Sequence, residues 1–319
     1  MLSLPLSWAS PAGTRGRLSI LIFHRVLAQR DPLSPDEPDA ARFETQMRWV
    51  RDWFNVVPLA QAVPQLYAGT LPARALCVTF DDGYADNEAI AAPILARLGL
   101  TATFFVSTGF LDGGCMWNDR LIEAVRACDA TGLDLTDQGL ASYPTADDAA
   151  RRQSVAQLLR DARHLPPARR DDVTHAAMAR AGLRAAPSLM MRPPQLRSLR
   201  AQGMDVGAHT VSHPILASLS AQQARNEIGQ SREHIEHHLG EKISLFAYPN
   251  GVPHEDYAAE HAQMVQDCGF IAAVSTAWGA ASARSQRYQL PRFTPWDKSR
   301  LRYGARLLAN YTRTEKTAV

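Results

Sequence analysis

The chain has 319 residues, 46% of them apolar and 21% charged, enough for a sizeable core in one domain or in one domain with a large insertion. Lysine plus arginine (34) nearly balances aspartate plus glutamate (32), so nothing in the charge argues for nucleic acid or an anionic membrane as partner. The four cysteines, Cys77, Cys115, Cys128 and Cys268, form no CxxC pair, which disfavours a structural zinc knuckle and fits free thiols in a reducing compartment.

No stretch reaches the roughly 18 apolar residues of a transmembrane span. Residues 1–17 lack a basic, uninterrupted leader pattern, and they read as an N-terminal tail on a cytoplasmic protein. Leu18 to Phe23 is a buried strand ending at His24, followed by a Pro- and Asp-rich loop through Asp39. Ala41 to Phe54 is a helix with Phe43, Met47 and Val50 on one face, and Val56-Val57 is a short strand. Leu76 to Phe80 is the next strand and stops at Asp81-Asp82-Gly83. Asn87 to Leu98 is a helix ended by Gly99, and Thr101 to Val106 is a strand.

From about 110 to 194 strand-like runs almost vanish, and the segment reads as a mostly helical insertion. Its Arg-rich portion, Arg151 to Arg170, reads as a solvated helix face. The alternation then resumes. Strands are expected at Met204–His209, Leu245–Tyr248, Phe270–Ser275 and Leu290–Phe293, and helices at Ala221–Leu239, Glu255–Cys268 and Leu301–Ala309. This is an α/β pattern. About eight strand-like segments, most followed by a helix, favour a closed (β/α) barrel of seven or eight strands over 18–309, with 310–319 as a C-terminal tail. An open doubly wound sheet is the alternative.

His24, Asp81, His209, Pro249 and Arg292 all fall at the C-terminal ends of expected strands, which a barrel gathers in one mouth. Two adjacent carboxylates after a core strand need a reason, because aspartate is rarely buried unless paired or metal-bound. The plainer alternative is a helix cap or an Asx-turn. His209 and His213 are four apart, and a helical turn there would set both rings on one side. With Asp82 they make a two-histidine, one-carboxylate set for a divalent ion: zinc first, with nickel, cobalt or iron also suited. Asp81 is then left to take a proton from the attacking water, and His24 to give one to the departing amine. Arg292 can orient Asp81 or bind a substrate hydroxyl, unless it is an ordinary surface ion pair. Trp117, Trp278 and Trp296, in expected loops, are candidate sugar-stacking platforms with rim packing as the alternative. His164, His175, His234, His237, His238 and His261 read as exposed.

Val78-Thr79-Phe80-Asp81-Asp82-Gly83-Tyr84 together with His209-Thr210-Val211-Ser212-His213-Pro214 resembles the polysaccharide deacetylase family, carbohydrate esterases with the NodB homology domain. The resemblance spans about Leu18 to Phe293 and is poor over 110–194. It implies a distorted (β/α) barrel, Asp81 as base, and Asp82, His209 and His213 as ligands of one divalent metal, commonly zinc. Tyr84 is carried along as a substrate contact. Ile20-Leu21-Ile22-Phe23-His24-Arg25-Val26 is similar to the N-terminal motif of the circularly permuted poly-N-acetylglucosamine deacetylases, which carries the acid role onto His24. Phe246-Ala247-Tyr248-Pro249-Asn250-Gly251 resembles the third motif and assigns an oxyanion N–H to Asn250. It departs at Ala247, an arginine in many members, and Arg292 is expected to replace that arginine as the partner of Asp81. The implied activity is removal of an acetyl group from an N-acetylated sugar, oligosaccharide or carrier-linked glycan. An amidase acting on a small or carrier-linked intracellular amide, and a non-catalytic glycan-binding protein, are the competing readings.

Overall fold

Alternation along short apolar strands builds the central barrel of the computed structural model, which describes residues 3–294, 296–311 and 319. The strands are β1 (Ser19–Phe23), β2 (Asn55–Val56), β3 (Ala75–Phe80), β4 (Thr103–Val106), β5 (Gly132–Asp134), β6 (Ser142–Pro144), β7 (Asp205–Ala208), β8 (Leu245–Ala247), β9 (Ala272–Trp278) and β10 (Leu290–Arg292). All but β5 and β6 join one sheet in the order β1-β3-β4-β7-β8-β9-β10, with β2 paired to the outer part of β3. Every pairing in it is parallel. A parallel bridge between Leu21 and Phe293 joins the last strand to the first: the Phe293 N–H donates to Ile20 O at 2.8 Å and the Ile22 N–H to Phe293 O at 3.1 Å. The sheet is thus nearly closed into the expected distorted barrel.

One face of each strand looks inward. Leu18, Ile20, Cys77, Phe105, Leu245, Ala247, Val274 and Leu290 form one buried cluster, and the helix Leu59–Ala68 adds Leu59, Val63 and Leu66 to it. The alternate residues, among them Leu21, Val78, Phe80, Phe104, Val206 and Phe246, belong to a second cluster shared with the surrounding helices. Gly207 has no room for a side chain, because a Cβ there would lie 2.5 Å from the Phe105 ring. Continuing the inward row of β3 past Cys77 leads to Thr79 and then Asp81. The row of β10 passes from Leu290 to Arg292, and that of β1 from Ile20 through Ile22 to His24. The polar residues therefore stand where the apolar filling ends.

The chain divides into two compact units: residues 1–28, 38–111 and 191–319, which contain the barrel, and residues 29–37 with 112–190. The second unit packs helices Trp117–Ala127, Asp148–Arg163 and Pro167–Arg180 around Leu121, Val125, Tyr143, Leu158 and Val173. It also holds the antiparallel hairpin β5–β6, a strand pair that the helical reading did not include. Part of the Pro- and Asp-rich loop belongs to this unit, where Asp31 receives two hydrogen bonds from Arg126 at 3.0 and 2.6 Å. The arginines of 151–170 are not simply solvated. Arg151 donates to Cys128 O, Arg169 to Gln138, and Arg170 lies over the Trp117 ring.

Of the expected N-terminal tail 1–17, Ser3–Ala9 is helical and Leu6 is fully buried in the first unit, while residues 1 and 2 lie outside the described residues. Of the expected C-terminal tail, Asn310 and Tyr311 are buried, and 312–318 lie outside the described residues. No helix among the described residues is long and apolar enough to cross a membrane.

Candidate metal centre

The strand β3 delivers Asp81 and Asp82 to the barrel mouth in different orientations. The Asp81 N–H donates to Phe23 O at 2.9 Å, which ties the end of β3 to the end of β1 beside His24. Asp82 then takes a left-handed backbone (φ 76°), and Gly83 follows at φ 92°, where an added Cβ would stand 2.9 Å from Val106 Cγ1. Such conformations in consecutive residues mark a chain bent for a purpose, and here the bend turns two neighbouring carboxylates to different partners.

Asp81 is committed to Arg292. Both carboxylate oxygens accept from the guanidinium at 2.7 Å, from Nη1 to Oδ1 and from Nη2 to Oδ2. Arg292 is fully buried and Asp81 is 2% exposed. Two further guanidinium donors are used as well: Nε reaches Ser275 O at 2.8 Å and Nη1 reaches Thr79 Oγ1 at 3.3 Å, while Thr79 donates to Leu21 O. Burial is the strongest single influence on Asp81 and works against ionisation, but Arg292, through its charge and its hydrogen bonds, leads the opposing influences that together hold the carboxyl below its ordinary range. His209 and His24 add to the same effect.

Asp82 faces the histidines. Its Oδ1 lies 3.4 Å from His209 Nε2 and 3.3 Å from His213 Nε2, whereas Asp81 comes no nearer to His209 Nε2 than 4.0 Å. His209 Nδ1 is 2.8 Å from Ala247 O; a carbonyl only accepts, so Nδ1 carries a proton and Nε2 is the nitrogen left to face Asp82 and to serve as a metal donor. Burial alone would raise the Asp82 carboxyl, yet the histidines, with His24 further off, hold it well below the usual carboxylate range. One donor atom from each of Asp82, His209 and His213 lies within 4.8 Å of the others. A tetrahedral ion bonded at roughly 2.0–2.1 Å needs donors about 3.4 Å apart, so the set fits a zinc-like divalent cation. Electron-rich atoms converging this closely are otherwise mutually repulsive.

The histidine pair does not ride on a helical turn. Thr210 and His213 have φ values of 64° and 56°, and the His209 and His213 rings approach to 4.9 Å through an irregular loop. The helical reading of 209–213 is thus corrected, although the rings do share one side. Glu227, which sequence reasoning passed over, accepts from the Val211 and Ser212 N–H groups at 2.8 and 2.9 Å and from Ser212 Oγ at 2.7 Å. Its only signal in the sequence is its place as the first acid in the helix that follows the histidine motif.

His24 is exposed at the end of β1, and its carbonyl is held by Asn87 Nδ2 at 2.8 Å. Asn250 adopts φ 56° beyond β8, with its carbonyl accepting from Thr276 Oγ1 at 2.8 Å. Trp278 is 38% exposed and packs on Trp296 at 5.1 Å and edge-on to Phe293; Arg306 covers Trp296 at 4.1 Å. Trp117 belongs to the second unit, beneath Arg170. Tyr84 is buried, with Arg25 4.7 Å over its ring, and so is not placed as an open stacking platform. His261, expected at the surface, is buried instead and caps its own helix by accepting from the Ala258 N–H at 2.9 Å.

A family model described as polysaccharide deacetylase matches residues 68–272. The chain belongs to the polysaccharide deacetylase family. Membership makes it a hydrolase of N-acetyl amide bonds, carbon–nitrogen bonds outside peptides. Asp81, Asp82, His209, His213 and Asn250 lie inside the matched span; His24 and Arg292 lie outside it. A protein named putative polysaccharide deacetylase YxkH, from Bacillus subtilis, is 20% identical over 278 residues, covering 86% of this chain and 70% of that one. Among solved structures, the Streptococcus pyogenes deacetylase PplD in complex with acetate aligns with a TM-score of 0.60 at 19% identity, over 92% of this chain and 98% of that one. IcaB from Ammonifex degensii aligns with a TM-score of 0.59 at 18% identity, over 93% and 97%. At these identities the structural likenesses speak for the polysaccharide deacetylase fold alone.

Proposed function

We propose that the protein removes acetyl groups from an N-acetylated sugar or glycan with the help of one divalent ion, zinc by the chemistry of its donors. The observation that carries this reading is the division of labour between adjacent carboxylates: Asp82 closes on two imidazole nitrogens while both oxygens of Asp81 are held by Arg292. Asp82, His209 and His213 would hold the ion, which when bound supplies Lewis acidity toward water and the acetyl carbonyl.

The other roles belong to the chain. Asp81, kept ionised by Arg292, takes the proton of the attacking water. The Asn250 N–H donates to the carbonyl oxygen as negative charge develops there. His24 gives a proton to the amide nitrogen as the carbon–nitrogen bond breaks, so the sugar leaves as a neutral amine. Arg292 takes the place of the arginine expected at Ala247, reaching Asp81 from β10 rather than from β8. Trp278 and Trp296 offer an aromatic face to a sugar ring. The four free thiols support action in a reducing compartment, and with it a carrier-linked or oligomeric intracellular substrate.

An acetate-release screen tests the reading across N-acetylhexosamine monomers, oligomers and carrier-linked sugars, with simple acetanilides alongside. Turnover of at least one sugar-containing class well above the anilides is the expected result. Turnover of the small anilides alone would replace the glycan with a small non-sugar amide.

A further inference from the structure

The turn that presents both histidines has little internal support. Thr210 and His213 lie in the left-handed region, and among the described residues the His213 N–H finds only the Thr210 hydroxyl, at 3.2 Å. A turn of this kind keeps its shape through partners outside it. On one side the Thr108 N–H donates to Thr210 O at 3.1 Å and the Gly109 N–H to Val211 O at 2.8 Å. On the other side a single carboxylate receives everything. Glu227 Oε2 accepts from the N–H groups of Val211 and Ser212, and Oε1 accepts from the Ser212 hydroxyl.

Glu227 sits on the helix Ala221–Leu239 between Ala224 and Ile228, two buried residues that seat the helix. Two turns further on, His234 Nδ1 meets Thr108 Oγ1 at 3.0 Å, so the same helix also grips the segment bracing the opposite side of the turn. Val211 is held by both its N–H and its carbonyl. The backbone between His209 and His213 is thereby fixed to a rigid element, which sets how far apart the two Nε2 atoms stand.

We propose that Glu227 is a positioning residue of the metal centre, a carboxylate that touches neither ion nor substrate but sets the spacing of the two histidine donors through the backbone between them. Residues that orient ligands in this way are worth about 10- to 100-fold in metal affinity. The proposal rests on the reading of Asp82, His209 and His213 as the metal centre.

The test measures zinc affinity by competition with a chromophoric chelator, and the visible absorption of the cobalt-loaded protein, for the parent, Glu227→Gln and Ser212→Ala. Glu227→Gln is expected to weaken zinc binding about 10- to 100-fold and to alter the cobalt spectrum, because the donor geometry changes. Ser212→Ala, which deletes one of the three bonds and leaves the carboxylate in place, is expected to weaken binding by a smaller factor; it carries the test if the first variant does not fold. In a double-mutant cycle the two changes should be less than additive, since they remove the same clamp. Parent-like affinity and a parent-like cobalt spectrum in both variants would overturn the proposal. A parent protein that binds neither ion would instead overturn the metal centre itself.

Discussion

Replacing Arg292 with methionine separates orientation of the base from retention of the metal. The change removes a fully buried cation whose partner, Asp81, is itself 2% exposed and accepts at 2.7 Å through both oxygens. Removing one member of such a pair costs about 3–5 kcal/mol, because the remaining charge is left in a poorly solvating place. Asp81 can escape that cost by binding a proton, since burial then acts on it without its chief opponent, but a protonated carboxyl cannot serve as base. With 1.36 kcal/mol for each factor of ten, the penalty corresponds to a fall of about 10²- to 10⁴-fold in kcat if it is expressed in the chemical step. Asp82, His209 and His213 are untouched, so bound zinc should stay near one per chain. The assay is acetate release from N-acetylglucosamine oligomers together with elemental analysis of the same preparation. Activity within about threefold of the parent, with metal bound, would refute the assignment.

Asp81→Asn should bring turnover to background while keeping the metal, and His213→Ala should lose both; metal loss in Asp81→Asn would mean that the two aspartates have exchanged roles. His24→Ala should lower kcat about 10²- to 10⁴-fold with metal retained, and a leaving group that needs no proton, such as an activated aryl amide, should recover much of the rate. Gly109→Ala would place a Cβ 2.8 Å from Val211 O. It should destabilise the protein by about 1–3 kcal/mol, read as a lower thermal midpoint, and weaken metal binding by distorting the histidine turn.

The barrel was legible because its strands are short apolar runs that stop at polar punctuation: His24 after Phe23, Asp81 after Phe80, His209 after Ala208. Period-two alternation explains why these residues share an interior, and closure between Leu21 and Phe293 explains why the first and last strands serve one site. The Arg292–Asp81 approach was foreseeable from Ala247, whose small side chain stands where the motif's resemblance leads one to expect an arginine for Asp81. Other features left no pattern to read. The histidine turn looked helical because four-residue spacing suits a helix, yet left-handed values at Thr210 and His213 do the same job through long-range hydrogen bonds. Glu227 was invisible for the same reason: two of its three partners are backbone amides, which carry no residue identity. The helix at Ser3–Ala9 was missed because a single buried side chain, Leu6, anchors so short a segment.

The most direct test of the central claim is acetate release from N-acetylhexosamine oligomers by one preparation taken through metal stripping and zinc reloading. The account predicts background rates after stripping and recovery in proportion to zinc bound, saturating near one ion per chain. Undiminished acetate release from fully stripped protein would contradict it.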